Sequence, residues 1–389
     1  MITGMNIQAG ARIAPDFMLA FDKDDITEVF RERLISLTMT DNNGFEADQL
    51  DIELSDSDGR VELPPRGASL SLWLGWQGAA LLGKGSFIVD EIGYRGAPDI
   101  VTIRGRSADF RGSLNTRREQ SWHDTTVGTI VETIAQRNKL VASVASSLNA
   151  IAVPHIDQTQ ESDAVFLSRL AERNGGVVSV KAGKLLFLKK GSAMNASNKS
   201  LPEKILERGD GDRHQFTIAD REAYTGVTAK WLQTKAPQQQ KQNVKLKRVM
   251  KAQDLNALQH PDAVMMPTAG KSGGEPGAQN GEYMAGEPEN VLKLTTIFAT
   301  KAQAIRAAQA RWEEIQRGVA EFTLTLAIGR ADLFPEMPVV VRGFKNVIDD
   351  HSWIISRVVH HLNNNGFTTT LELQVKSSDV EYVTVEVME

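Results

Sequence analysis

Two short segments have residue types that could bind a phosphate or a calcium ion. The sequence GAALLGK at 78–84 matches most of a phosphate-binding loop, but Gly85 stands where that loop needs Ser or Thr for Mg²⁺. Predicted strands also flank it where a helix should follow. Asp210 and Asp212 supply only two of the oxygen ligands that a calcium loop requires. We interpret both segments as turns.

Three histidines, His351, His360 and His361, are the remaining candidates for a metal site. Neighbouring residues of a strand point to opposite faces, so His360 and His361 are not expected to share one ion. His351, accompanied only by Asp349 and Asp350, is typical of an exposed turn. No His-Glu-x-x-His motif occurs. We predict no catalytic, cofactor-binding or metal-binding residues and no cofactor, and we expect a protein that is not an enzyme.

The composition of the 389-residue chain argues against several functional classes. Its formal net charge is −5, whereas nucleic-acid binding requires clustered basic residues, so we expect no sequence-specific nucleic acid binding. The chain contains no cysteine, which excludes disulfides and thiolate zinc sites and suits a reducing cytoplasm. No apolar run approaches the ~20 residues of a membrane-spanning helix, and residues 1–17 lack the pattern of a signal peptide. We expect no membrane insertion.

Residues 1–107 have the pattern of an antiparallel β domain. A strand is predicted over 26–40, before a turn at Asn43 and Gly44. Apolar residues then alternate with polar ones along two further strands, at Leu50, Ile52, Leu54, Leu70, Leu72 and Leu74. Short strands with turns about 8–12 residues apart indicate a barrel or a sandwich.

Residues 108–205 change to a mixed α+β module. A helix is predicted over 125–139, with Asp124 as its capping residue. A second helix is predicted from Ser162 to the Asn174-Gly175 pair, whose residue types tolerate the left-handed conformation at a helix end. A hairpin over 177–188 completes the module.

The remainder of the chain returns to strands after a segment of low complexity. Residues 233–290 are rich in Gln, Lys, Pro and Gly, so we predict a long flexible insertion. Residues 206–232 and 291–378, which include a helix beginning at Thr300, are assigned to a second barrel domain, and 379–389 to a C-terminal tail. The predicted fold is a β-rich α+β fold with two similar antiparallel β-barrel domains flanking a mixed α/β module.

The two strand-rich ends of the chain resemble each other. Three successive strands agree in order and length, those at 68–76, 87–92 and 100–106 and those at 337–343, 353–358 and 367–373. Phe87 and Trp353 both begin the middle strand. We interpret the similarity as an internal duplication. Three copies in a ring would then present six similar barrels, an arrangement that can dock a hexamer on one side and a trimer on the other.

Three stretches resemble the phage late control D proteins, the central hubs of contractile-tail baseplates. They are WHDTTVGTI at 122–130, QESDAVFLSRLA at 160–171, and the strands at 338–343 and 353–360 together with GFTT at 366–369. The second stretch is the most specific of the three. The resemblance extends from about Asp24 to Val375, apart from the insertion. One departure lies at Glu336, where Pro-Glu-Met stands in place of the Pro-Gly turn often found in the family.

The resemblance implies a homotrimer between the hexameric tail tube protein and a trimeric tail spike protein. Baseplate wedge proteins and a tape-measure protein in the lumen are the other implied partners. The implied location is the virion tail baseplate, with the host cytoplasm as the place of assembly. The sequence up to Glu389 contains no oligonucleotide-fold domain or β-helix repeat after the hub-like region. The spike is therefore expected to be a separate chain. Two alternatives remain open: a baseplate-associated peptidoglycan-degrading enzyme, and the hub of a phage-derived bacteriocin or secretion machine.

Overall fold

The computed structural model describes residues 14–21, 24–107, 113–181, 183–197, 199–218, 224, 226–232, 242–249, 280–286, 290–318, 320–376 and 381–387. Of the predicted flexible insertion, 233–241, 250–279 and 287–289 lie outside the described residues. None of the helices in the described part of the chain is long and apolar enough to cross a bilayer.

Among its described residues, the N-terminal half contains twelve strands and four α-helices. The elements are β1 (Pro15–Phe21), β2 (Asp24–Asp25), α1 (Thr27–Arg31), β3 (Leu34–Asn42), β4 (Gln49–Ser55), β5 (Ser69–Trp76), β6 (Leu82–Arg95), β7 (Ile100–Ser107), β8 (Arg117–Thr126), α2 (Val127–Arg137), β9 (Val141–Val144), α3 (Ser146–Asn149), β10 (Ala152–Ser162), α4 (Asp163–Arg173), β11 (Gly176–Lys181) and β12 (Lys184–Lys189).

The C-terminal half adds eleven strands and two helices within its described residues. The elements are β13 (Lys204–Glu207), β14 (Gly211–Ile218), β15 (Gly226–Leu232), β16 (Gln242–Val249), β17 (Asn280–Gly286), β18 (Val291–Phe298), α5 (Lys301–Arg317), β19 (Ala320–Leu326), β20 (Pro338–Arg342), α6 (Asn346–Asp349), β21 (Ser352–Asn363), β22 (Gly366–Val375) and β23 (Glu381–Val387).

Thirteen of these strands form one continuous sheet. Its order is β14-β19-β22-β21-β3-β4-β7-β6-β5-β1-β2. In addition, β20 pairs with β21, and β13 pairs with β20. We call the strands β1 and β3–β7 the first β repeat, and β13, β14 and β19–β22 the second β repeat. The described pairings do not establish the two similar antiparallel β-barrels predicted from the sequence, since β3 hydrogen-bonds to β21 and no pairing among described strands closes either repeat on itself.

Each β repeat nevertheless has a hydrophobic core of its own. In the first, alternation at period two turns Leu50, Ile52 and Leu54 inward, and all three are buried. In the second, Phe322 and Trp353 lie at the centre and are fully buried, with ring centroids 5.6 Å apart. The two repeats therefore share one sheet, but each has a separate hydrophobic core.

The strands of the two β repeats follow the same order. The first runs β1-β5-β6-β7-β4-β3 and the second β13-β20-β21-β22-β19-β14, so the strands correspond one to one in their order along the chain. The single difference is direction: β1 pairs antiparallel with β5, whereas β13 pairs parallel with β20. A shared order of six strands supports the duplication that the sequence pattern indicated.

Irregularities of the strands correspond as well. The pairing of β6 with β7 skips Asp90, three residues after Phe87, and that of β21 with β22 skips Ser356, three residues after Trp353. The pairing of β3 with β4 likewise skips Ile35, the second residue of its strand, and that of β14 with β19 skips the second residue of β14. Bulges are characteristic features of a protein family, so their coincidence fixes residue-by-residue equivalence between the repeats.

Both helices predicted for the middle module are present, but the cap of the first one differs. Helix α2 begins after Thr126, whose hydroxyl accepts a hydrogen bond from the amide of Thr129 at 3.2 Å. Asp124 is not the capping residue, since it precedes the cap within β8 and has a positive φ of 42°. Helix α4 begins after Ser162, whose hydroxyl accepts from the amide of Val165 at 3.3 Å.

The first predicted strand is also shorter than expected. Residues 27–31 form the single-turn helix α1 instead of extending β3. Asp25 stands two residues before the helix, and its carboxylate accepts a hydrogen bond from the amide of Thr27 at 2.9 Å, the pattern of an Asx turn.

The chain divides into two compact units, and the second does not match the predicted boundaries. Its main part spans residues 219–319, with 377–389 added. Strands β15 and β18 were assigned to the second barrel, but they pair with each other in a five-stranded sheet, in which β15 also pairs with β17. The physical reason is a separate core, in which Val227, Ala229 and Trp231 pack with the alanine-rich face of α5.

Candidate assembly site

The two β repeats meet along strand β21, which changes partner along its length. Residues 352–354 pair with β20 of the same repeat, whereas 357–363 pair antiparallel with β3 of the other repeat. Seven residue pairs make this second ladder, from Arg357 opposite Asn42 to Asn363 opposite Ser36. We call this ladder the internal seam.

Apolar side chains cross the internal seam. Leu362 and Phe367 belong to the second repeat but pack in the hydrophobic core of the first. The Trp76 ring lies 5.5 Å from the Phe367 ring, and its indole nitrogen donates to the carbonyl of Gly329 at 2.8 Å. A Cβ at Gly329 would come within 2.5 Å of the Phe367 ring, so glycine is needed there for packing. The seam is therefore an interior contact.

The contacts of Glu336 explain how glutamate can stand where the resembling family often has the glycine of a Pro-Gly turn. The φ of Glu336 is 69°, in the left-handed region that glycine adopts without strain. The carboxylate offers compensation: it accepts hydrogen bonds from the Asn43 side chain at 2.6 Å and from the amide of Gly191 at 2.8 Å. Glu336 thereby joins the turn before β20 to the first repeat and to the middle module.

The candidate histidines have separate surroundings. His360 is fully buried, and Nδ1 lies 3.0 Å from the hydroxyl of Thr369. Burial lowers the pKa of His360 well below its usual value, so the ring is neutral. His361 points to the other face, with Nδ1 2.9 Å from the hydroxyl of Thr38 across the seam. His351 lies edge-on to Trp353. His360 and His361 thus lie on opposite faces of the seam strand, and His351 lies apart from the seam.

The candidate segment 78–84 consists of a turn at 78–81, with Gly78 at a φ of +82°, and the first three residues of β6. Lys84 at its end points to the second repeat, where its ammonium donates to the carbonyl of Leu333 at 3.4 Å. Burial lowers the pKa of Lys84 to about 8. The lysine that suggested a phosphate-binding loop is thus a contact between the repeats.

Asp210 and Asp212 also have structural contacts. The carboxylate of Asp210 accepts from the amide of Glu207 at 2.9 Å and caps a short 3₁₀ turn over Arg208–Asp210. Asp212 occupies the bulge of β14 beside Arg213, 3.7 Å away on an exposed edge. Within the described part of the chain, no three acidic or histidine side chains gather in a way that could hold a metal ion.

A buried ion pair organises the most specific of the stretches that resemble the hub family. Asp163 is fully buried, and its carboxylate bonds to the Arg137 guanidinium, which also donates to Gln120 at 2.7 Å. The side-chain amides of Gln158 and Asn138 donate to the same carboxylate at 2.8 and 2.9 Å. Asp163 is not among the residues predicted from the sequence to have a role, although a charge at the start of an otherwise apolar helix face was a signal.

Two carboxylates share one ammonium between the first repeat and the middle module. Lys181 lies 2.8 Å from Asp41 and 2.5 Å from Asp48. Burial, with the nearby Asp41 charge, raises the pKa of Asp48 to about 6. One lysine cannot neutralise two buried carboxylates, so the cluster takes up a proton under mildly acidic conditions.

Asp48 predicts a pH dependence of stability. An unfolded chain has an Asp pKa of about 3.9, so the folded chain binds this proton more tightly. The free energy of unfolding contributed by Asp48 is therefore largest at low pH, and it is lost as the pH rises from about 4 to about 6. In urea titrations at several pH values, the native protein should gain stability relative to Asp48→Asn as the pH falls through this window. Parallel curves for the two proteins would refute the assignment.

Comparisons with known proteins agree with this architecture. The model of the family described as "Phage tail baseplate hub (GPD)" matches residues 49–366. Two proteins named "Probable baseplate hub protein" are similar along nearly their whole length. That of Escherichia phage 186 is 70% identical over 98% of both chains, and that of Escherichia phage P2 is 62% identical over 99% of both.

A solved structure shares the fold at low sequence identity. The 43 kDa tail protein of prophage MuSo2 from Shewanella oneidensis superposes with a TM-score of 0.63 at 12% identity, covering 95% of this chain and all of that one. The resemblance drawn from the sequence is confirmed, and the baseplate of a phage tail is the location that these relatives imply. The chain belongs to the phage tail baseplate hub (GPD) family.

Proposed function

We propose that this baseplate hub is a homotrimer that matches threefold to sixfold symmetry. The observation that carries the proposal is the pair of β repeats with one strand order and equivalent bulges. Three chains in a closed ring contribute six similar β repeats. Such a ring offers six similar positions to a hexameric tail tube protein and three identical positions to a trimeric spike protein.

The mechanism of the proposed adaptor is mechanical. A continuous sheet with cores on both sides of an apolar seam forms a rigid segment of wall, and three segments enclose a central channel. The net charge of −5 suits a channel through which DNA passes without binding. We propose the tape-measure protein as the occupant of the lumen before DNA, and the wedge proteins as neighbours outside.

Native mass spectrometry tests the proposal. The protein is measured at micromolar concentration, alone and co-expressed with its spike protein. We expect three copies of the 42.7 kDa chain in the assembly that contains the spike. A monomer under both conditions, or six copies in a ring, would contradict the adaptor. Clearance of peptidoglycan by the purified chain would instead favour the enzymatic alternative.

A further inference from the structure

The first repeat has a strand edge to which no described strand pairs. Strand β6 pairs with β5 through residues 82–88 and with β7 through 87–95. Along 91–95, the edge opposite β7 faces no other described strand. The equivalent part of the second repeat is 357–361 of β21, and there the same edge is covered by β3 in the internal seam.

The second repeat has the complementary edge. Strand β3 lies inside the sheet, between β4 and β21, whereas its counterpart β14 pairs only with β19 among the described strands. Two edges are therefore left unpaired by the described strands of each chain. The edge of β6 at 91–95 corresponds to the edge of β21 in the internal seam, and the edge of β14 corresponds to the edge of β3. The two edges would complement each other between copies.

Two side chains at these edges, Tyr94 and Ile218, are exposed although their counterparts at the internal seam are buried. Tyr94 is 60% exposed, and its counterpart His360 is 0% exposed. Ile218 is 57% exposed, and its counterpart Asp41 is 9% exposed. Long edges with exposed apolar residues are an aggregation hazard unless another strand covers them. At the internal seam the counterparts of Tyr94 and Ile218 are buried by the pairing of β21 with β3, which indicates that a similar strand pairing would cover these two edges.

We propose that residues 91–95 of one copy pair antiparallel with 215–218 of a second copy, repeating the geometry of the internal seam. The equivalence set by the bulges fixes the register, with Ile92 opposite Ile218, Gly93 opposite Thr217, Tyr94 opposite Phe216 and Arg95 opposite Gln215. This inference rests on the proposed threefold assembly, and it names the surfaces that close the ring.

The contact is heterologous, because each copy uses a different edge toward each neighbour. Heterologous contacts form a closed ring when the rotation between neighbours divides a full turn, and open filaments otherwise. Internal seams and seams between copies alternate in this arrangement. Three copies then give six seams of one geometry, which is the condition for six similar repeats around one axis.

Paired cysteines test the register, since the chain contains no cysteine of its own. The variant carries Gly93→Cys and Thr217→Cys. A Cβ at Gly93 makes only an ordinary contact, 3.7 Å from Thr102, and directly opposite residues have Cβ atoms about 4.5–5.5 Å apart. A short bis-maleimide should convert the protein to covalent dimers and trimers on a denaturing gel. The control variant, Gly93→Cys with Arg213→Cys, is four residues out of register and should remain monomeric on the gel.

The oligomeric state of each sample is measured by native mass spectrometry before cross-linking. Trimers that cross-link only in the matched variant support the inference. Trimers that fail to cross-link in the matched variant, or that cross-link equally in the control, overturn the register and leave the proposed adaptor intact. Monomers in every sample, including the native protein with its spike partner, overturn both proposals.

Discussion

Asp163→Ala is expected to lower the free energy of unfolding by about 3 kcal/mol, because it leaves the partly buried charge of Arg137 without its partner. Removing one member of a buried ion pair costs about 3–5 kcal/mol in general. The lower end applies here, since the Arg137 side chain is 22% exposed and keeps its bond to Gln120.

Denaturant unfolding followed by circular dichroism measures this effect. Glu132→Gln is the matched control, because Glu132 is an exposed carboxylate on the same module, in helix α2. The control should change the free energy of unfolding by less than about 0.5 kcal/mol. Equal effects of the two substitutions would show that the carboxylate of Asp163 has no special structural role.

Trp353→Ala is expected to be the more damaging change, at about 3–5 kcal/mol, because it opens a cavity in the core of the second repeat. Trp353 is fully buried among Phe216 and Phe322, and its indole nitrogen donates to the carbonyl of Ile348 at 2.9 Å. Both the apolar contacts and the hydrogen bond are lost.

Trp353→Phe separates these contributions. Phenylalanine occupies the equivalent position, Phe87, in the first repeat, so a smaller aromatic ring is compatible with this strand geometry. We expect Trp353→Phe to cost clearly less than Trp353→Ala in the same urea titration. If the two variants are equally unstable, the hydrogen bond to Ile348 matters more than the volume of the ring.

Local patterns in the sequence were enough to predict the internal repeat. Alternation along β4 and β5 marks the buried face of each strand, and the aromatic residues Phe87 and Trp353 align the two series. Pairing of consecutive strands through short turns follows from such local signals. The repeat was therefore visible before any three-dimensional contact was known.

The internal seam could not be predicted in the same way. It joins Thr38 to His361, which lie 323 residues apart in the chain, and no turn or period connects segments at that separation. The separate five-stranded sheet could not be predicted for a related reason, since the sequence patterns of β15 and β18 are the same as those of other half-buried strands. Asp124 was preferred to Thr126 as a cap because both residue types suit that position.

Electron cryomicroscopy of the purified assembly, viewed along its axis, shows how many chains and how many β repeats surround the channel. We expect a closed ring of three chains with six β-rich densities of similar size around the channel. A ring of six chains, or a ring of three chains whose two β repeats occupy dissimilar positions, would contradict this expectation.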